Sequence, residues 1–165
     1  MWVVSGDAPR KFSLTVSEVT RLSQMNLLAL HQYRPLPTMQ DALNYAVERK
    51  QFGQPIANFQ LIQGMLADSK AEIYAAKCMV LDAARLRDAG QNVTTEASCA
   101  KMFATEMCGR IADRCLQIHG GAGYISEYSI ERFYRDVRLF RLYEGTRART
   151  LLYVVGSEDF GIKHK

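Results

Sequence analysis

Between Asn58 and Ala89, apolar or small residues recur at alternating spacings of three and four: Phe59, Ile62, Leu66, Ser69, Ile73, Ala76, Val80 and Ala83. That period lines them along one side of an α-helix and is incompatible with the two-residue repeat of a strand. A helix of that length rises roughly 45 Å at 1.5 Å per residue. It cannot bury such a seam alone, so a second long element must lie against it. Gly90 stands just beyond the pattern as a natural C-cap. The partner follows at once. Thr94 or Thr95 caps a helix that turns Ala100, Phe103, Met107, Ile111, Cys115 and Ile118 inward before Gly120 and Gly121 stop it. Two long helices joined by a short link form an antiparallel pair.

The rest of the chain adds shorter helices to this pair. Residues 1–13 show no periodicity and read as a loose tail. Thr15 and Glu18 have capping-box spacing, and Val16, Val19, Leu22, Met25 and Leu28 recur on one face until Pro35 and Pro37 end the helix. Thr38 is then the N-cap of a helix running to about Lys50, with Ala42, Tyr45 and Ala46 inward, which Gly53 and Pro55 close. A short helix from about Ser129 to Val137 and a last one after Thr146 complete the set. No stretch alternates with period two over a useful length. The expected fold is all-α, an antiparallel helical bundle, with a divergent segment at 1–37 and the bundle at 38–165.

Composition narrows the function. The chain has 165 residues, 48% hydrophobic and 23% charged, enough for one domain with its own core. A formal charge of +4 is too weak to imply nucleic acid without a concentrated basic patch, though it leaves anionic ligands open. Cys78, Cys99, Cys108 and Cys115 form no Cys-x-x-Cys pair, and His31, His119 and His164 stand at no ligand spacing, so no metal is expected and the thiols read as reduced. No apolar run is long enough to span a bilayer, and the first residues lack the order of a signal peptide. A reducing compartment without membrane insertion is the expectation.

Chemistry gathers after the second long helix. Gln117-Ile118-His119-Gly120-Gly121-Ala122-Gly123-Tyr124 puts three glycines in four residues, which admits positive φ and the close approach of a flat or phosphorylated ligand. The same glycines also serve a plain helix end followed by a turn. Glu144 with Gly145 behind it presents a carboxylate as a proton-abstracting base would be presented, or else pairs with Arg141 or Arg147 on the surface. Arg49-Lys50-Gln51-Phe52-Gly53 offers cations, an amide, an aromatic ring and a turn glycine to a phosphate, although cations also suit a helix C-terminus. Arg132, Arg135, Arg138 and Arg141 recur every third residue, drift around a helix, and are interrupted by Glu131, Asp136 and Glu144; they read as a solvated, salt-bridged surface.

Taken together, these residues resemble the C-terminal helical domain of the acyl-CoA dehydrogenases. Glu48-Arg49-Lys50-Gln51-Phe52-Gly53-Gln54-Pro55-Ile56 is similar to the family segment that closes on the adenosine diphosphate part of FAD, and Phe59-Gln60-Leu61-Ile62-Gln63 to the start of the helix after it. Gln117-Ile118-His119-Gly120-Gly121 resembles the glycine turn that touches the flavin of a neighbouring subunit. Arg135-Asp136 and Tyr143-Glu144-Gly145-Thr146 resemble the catalytic stretch. The likeness covers about Thr38 to Thr146, 109 of 165 residues.

The resemblance implies FAD as cofactor, held by Arg49, Gln51, Phe52, Gln60, Gln117, Gly120, Gly121 and Thr146, with Gly145 at the thioester. It implies Glu144 as the base that removes the α-proton of an acyl-CoA while a hydride leaves the β-carbon, giving the trans-2-enoyl-CoA. An electron-transferring flavoprotein would take the electrons, and the chain would form a homo-oligomer or join a longer subunit. The compartment would be the cytoplasm in a bacterium or the mitochondrial matrix in a eukaryote. Departures flank the matching centre. The family is much longer, with an N-terminal helical domain and a middle β-domain that this sequence does not cover. Where the family carries an Asp and an Arg upstream, Arg21 and Gln24 stand here. After Thr146, Arg147-Ala148-Arg149-Thr150 replaces the usual run, so the family's glutamine is lost at Ala148. The rival expectation is a truncated, catalytically silent helical module that self-associates.

Overall fold

The computed structural model describes residues 35–142. The helix expected from Thr15 and the one expected after Thr146 lie outside the described residues. Within them four α-helices follow one another: α1 (Pro35–Glu48), α2 (Gln60–Asp88), α3 (Thr94–His119) and α4 (Ile130–Leu139). Between α1 and α2 stands a minute hairpin, β1 (Lys50–Gln51) and β2 (Gln54–Pro55), followed by a 3-10 turn at Ile56–Asn58. The all-α expectation holds, with this hairpin as its one β ornament among the described residues.

The seam on α2 packs as its spacing requires. Ser69, Ala76, Val80 and Ala83 are buried, and Phe59, Ile62, Leu66 and Ile73 are partly buried against the core. Ser69 is tolerated there because its hydroxyl donates to the Met65 carbonyl at 2.7 Å. On α3 the predicted inward set is buried at Ala100, Met107, Ile111, Cys115 and Ile118, with Phe103 half-buried. Glu72 of α2 receives Arg110 at 3.1 Å and Arg114 at 3.0 Å from α3, while Leu86 packs on Val93 and Ala97. Residue numbers thus rise on one helix as they fall on the other, and the pair is antiparallel.

α1 completes the core with Ala42 and Ala46, both fully buried. It runs parallel to α3, since the Tyr45 ring lies on the His119 ring and Asp41 acts electrostatically on Cys115, four residues earlier on each helix. α4 then returns along α3, starting near Tyr128 and ending where Arg141 reaches Glu106 at 3.2 Å. The order is up, down, up, down.

The helix ends correct the sequence reading in two places. α1 already includes Pro35 and Pro37, so Thr38 lies buried inside the helix and is not its cap. α3 is capped at Val93 without a side-chain bond; Asn92 Oδ1 accepts the Thr94 N–H at 3.2 Å and the Thr94 hydroxyl at 2.7 Å, doing the work assigned to the threonines. The hairpin, with strands of two residues each, is too short to leave a period in the sequence. At the other end of α2 the expected glycine stop is built: Gly90 has φ +78°, its N–H donates to Arg87 at 2.8 Å, and Gln91 donates to Leu86 at 3.1 Å.

Two buried thiols make stability depend on pH. Desolvation pushes Cys108 and Cys115 from the ordinary 9.0 up to about 12, only partly opposed by Arg141 and Arg114. The folded chain keeps those protons while the unfolded chain releases them, so unfolding gains from deprotonation above the unfolded value. Urea denaturation is therefore expected to show stability that is intact below pH 9 and declines from pH 9 toward 12. A Cys108→Ala, Cys115→Ala double variant should flatten that decline.

Candidate functional site

The hairpin carries the first group of predicted residues. Its register pairs Lys50 with Pro55 and Gln51 with Gln54, which leaves Phe52 and Gly53 as a two-residue turn. Both have positive φ, +53° and +80°, the backbone of a twisted tight hairpin turn. Glycine takes that conformation freely, whereas phenylalanine is strained in it. The ring it presents is 92% exposed and meets Phe59 edge to face, centroid to centroid 6.2 Å. A strained backbone holding an apolar ring in water stabilises nothing in this chain by itself. The hairpin is tied down behind it, because Arg49 N–H donates to Tyr45 at 2.8 Å and the Arg49 carbonyl accepts from Ile56 at 2.9 Å.

Arg49, Gln51 and Gln60 are exposed, and none of their side chains has a hydrogen bond or ion pair among the described residues. Gln60 opens α2, whose start has no side-chain cap and no acidic residue in its first turn. Free N–H groups, a guanidinium and an aromatic face therefore occupy one end of the bundle.

The second group stands at the end of α3. Gln117 is exposed in the last turn, and Gly120 ends the helix at φ +58° and ψ −137°, which a residue with a side chain resists. The next glycines differ in what they do. Around Gly121 nothing lies within 4 Å of where a Cβ would stand, so the chain's own packing does not require a glycine there. At Gly123 a Cβ would sit 2.8 Å from the Leu116 carbonyl oxygen and 2.9 Å from His119 Cβ, so the turn folds back onto α3 only because this residue is bare.

His119 joins the two groups. It is 5% exposed, its Nδ1 lies 2.7 Å from the Cys115 carbonyl and so carries the proton, and its ring stacks on Tyr45 at 4.5 Å and 27°. Tyr128 meets both rings edge-on, at 5.8 Å from Tyr45 and 5.7 Å from His119. A groove of about 570 Å³ opens beside this aromatic cluster, with Arg49 and His119 on its walls and Asp41, Glu48 and Glu127 around them. The geometry thus brings Arg49 beside the helix end that starts the glycine turn. Gln51, Phe52, Gln60, Gln117, Gly120 and Gly121 do not line that groove; they stand outside it, on the hairpin side and on the turn side. Glu144, Gly145 and Thr146 lie outside the described residues.

Sequence reasoning did not assign Tyr45, His119 and Tyr128 to the site. Only the histidine carried a signal, being the last helical residue before a glycine stop. Among the described residues no group of three or more His, Cys, Asp or Glu is placed to hold a metal, and no helix is long and apolar enough to cross a membrane.

Comparison with known proteins gives one consistent result. The model of the acyl-CoA dehydrogenase C-terminal domain matches residues 33–155. Over 108 residues the chain is 53% identical to the caffeyl-CoA reductase-Etf complex subunit CarC of Acetobacterium woodii, covering 66% of this chain and 28% of that protein. It is 52% identical over 106 residues to a 3-(aryl)acrylate reductase of Clostridium sporogenes, covering 64% of this chain and 28% of the relative. The solved structure of butyryl-CoA dehydrogenase from Megasphaera elsdenii superposes with a TM-score of 0.76 at 33% identity, over 84% of this chain and 37% of that one. The chain spans 28% of the length of these two curated relatives.

The two neighbouring glycines make a paired test. Gly123→Ala is expected to cost about 1–3 kcal/mol by overpacking against Leu116 and His119, read as a lowered urea midpoint. Gly121→Ala should leave the midpoint within about 0.5 kcal/mol of the parent.

Proposed function

The chain belongs to the acyl-CoA dehydrogenase family through its C-terminal domain, and on that premise we propose that it serves FAD-dependent oxidation of an acyl-CoA thioester to the trans-2-enoyl-CoA. Arg49, Gln51, Phe52, Gln60, Gln117, Gly120, Gly121 and Thr146 are the proposed flavin contacts. Bound FAD would supply the acceptor for the β-hydride. Glu144 would take the α-proton, with Gly145 beside it leaving room for the thioester. A carboxylate excluded from water against an apolar chain gains basicity, which suits that role. In reverse, the same carboxylate would return the proton to the α-carbon. Two similar relatives are named as reductases, which supports either direction.

The observation that carries this reading is the hairpin at Phe52, with its strained φ of +53° and a ring left in water. Open space at Gly121 and side chains of Gln51, Gln60 and Gln117 without partners among the described residues fit a flat, polar, phosphate-bearing group brought from outside the chain. Arg49 would hold a phosphate and Phe52 would cover an apolar ring face. The name of the Acetobacterium woodii relative, a subunit of an Etf complex, supports an electron-transferring flavoprotein as redox partner.

One observation favours a second reading, self-association without catalysis. On the side of α2 away from the core, Leu61 is 81% and Tyr74 70% exposed, with exposed Gly64, Ala67, Ala71 and Cys78 between and beyond them. Apolar residues at that spacing, with small residues among them, suit a second copy of the helix more than water.

The first test is the visible spectrum of the chain after incubation with FAD and desalting, with light scattering on the same sample. Retained flavin bands are expected, lost or weakened about tenfold in Arg49→Gln or Phe52→Ala. A colourless but oligomeric chain would select the second reading. With acyl-CoA and an artificial electron acceptor, Glu144→Gln should lower turnover by about 10²–10⁴-fold while flavin retention stays as in the parent. Unchanged turnover would remove Glu144 from the role.

A further inference from the structure

The arginines of α4 do not disperse as their spacing suggests. Arg135 and Arg138 lie one turn apart on α4, and Arg141, beyond its end, lies across α3 at Gly109, where a Cβ would collide with its guanidinium. With Arg110 of α3 they line one groove of about 880 Å³ between α3 and α4. Tyr124 and Tyr134 also line it, and their side chains are 83% and 45% exposed.

The groove's charges are only partly answered from within. Arg110 is held by Glu72 at 3.1 Å and Arg141 by Glu106 at 3.2 Å. Arg135 meets Glu131 at 3.5 Å, with its side chain 81% exposed, a geometry worth little in water. The Arg138 side chain has no ion-pair or hydrogen-bond partner among the described residues, and Arg141 Nε is buried with none. Asp113 and Glu131 are the carboxylates of the lining, Glu72 and Glu106 answer Arg110 and Arg141, and Arg138 is left as the guanidinium without an acid of its own among the described residues. The exposed Arg138 guanidinium and the weakly held Arg135 are therefore the groups open to an incoming anion. Phosphate suits a set of guanidiniums better than a carboxylate does, because several of its oxygens accept at once. The volume exceeds what inorganic phosphate fills, and the exposed tyrosine faces suit a flat ring attached to it.

We propose that this α3–α4 groove binds the diphosphate of a nucleoside diphosphate, with Arg135 and Arg138 on the phosphates and the base against Tyr124 or Tyr134. The site is built from other residues than the hairpin and glycine turn, and it stands whether or not those hold flavin.

Calorimetric titration of the full chain at low salt with ADP, inorganic pyrophosphate and adenosine tests it. ADP and pyrophosphate should bind and weaken as salt is raised, ADP the tighter, and adenosine alone should give no heat. Arg138→Gln, which breaks no ion pair among the described residues, should keep the parent's thermal midpoint and weaken both anions about tenfold. Tyr124→Ala with Tyr134→Ala should bring ADP down to the affinity of pyrophosphate. Absence of binding by either anion up to about 10 mM overturns the proposal. So does binding that survives Arg138→Gln and Arg135→Gln but disappears in Arg49→Gln, since the anion would then sit at the hairpin end.

Discussion

The contact between α2 and α3 sets the position of everything else. It is made largely of small residues, Ala76, Val80 and Ala83 on one helix and Ala97, Ala100 and Ala104 on the other, so two long rods approach closely over most of their length. Alanine loses no side-chain entropy on burial and is the best helix former, so one residue type serves both local propensity and packing. Larger residues enter toward the far end, with Met107, Ile111 and Cys115 fully or nearly fully buried. A rigid pair of this kind gives the shorter elements fixed surfaces on which to dock.

Because α1 runs parallel to α3 and antiparallel to α2, the C-terminal ends of α1 and α3 and the start of α2 meet at one pole. The hairpin after Glu48 and the glycine turn after His119 are therefore neighbours, although about 70 residues separate them. Two helix C-termini add partial negative charge there, as do Asp41, Glu48 and Glu127, while Arg49 and the uncapped start of α2 oppose it. The Tyr45, His119 and Tyr128 rings fix the distance between the parts. A site of this kind needs no long-range adjustment, since both its walls hang on the same pair of helices.

What the sequence showed and hid follows from which interactions are local. The seam on α2, the inward face of α3, the glycine stops at Gly90 and Gly120 and the short α4 depend on period and on backbone freedom, and both can be read residue by residue. The hairpin could not be read, because its strands are two residues each and its turn puts Phe52 where propensity would refuse it. Choosing Thr94 as a cap fails for a related reason: the helix already starts at Thr94, and Asn92, two residues earlier, accepts its N–H. Thr38 looks like a cap only if the prolines before it must end a helix, and they instead lie within α1. The residues at 143–146, which resemble the family's catalytic stretch, lie outside the described residues.

The arginines show how tertiary placement overrides a pattern on one helix. A spacing of three carries side chains around a helix axis, and along α4 that reasoning still holds for Arg132, which does not line the α3–α4 groove. It fails at Arg141 because the helix has already ended at Leu139, and the chain is free to aim that guanidinium back at α3. It can lie there only because Gly109 leaves the α3 surface bare. The charge of the groove is thus set by a glycine 32 residues away from the arginine it accommodates, and by Arg110, its neighbour in sequence. Neither would be grouped with α4 by any local rule. Convergence of like charges across two helices is unfavourable in itself; Glu72 and Glu106 offset it at two of the four arginines, and Glu131 weakly at a third. The remaining excess lies on the exposed face of α4.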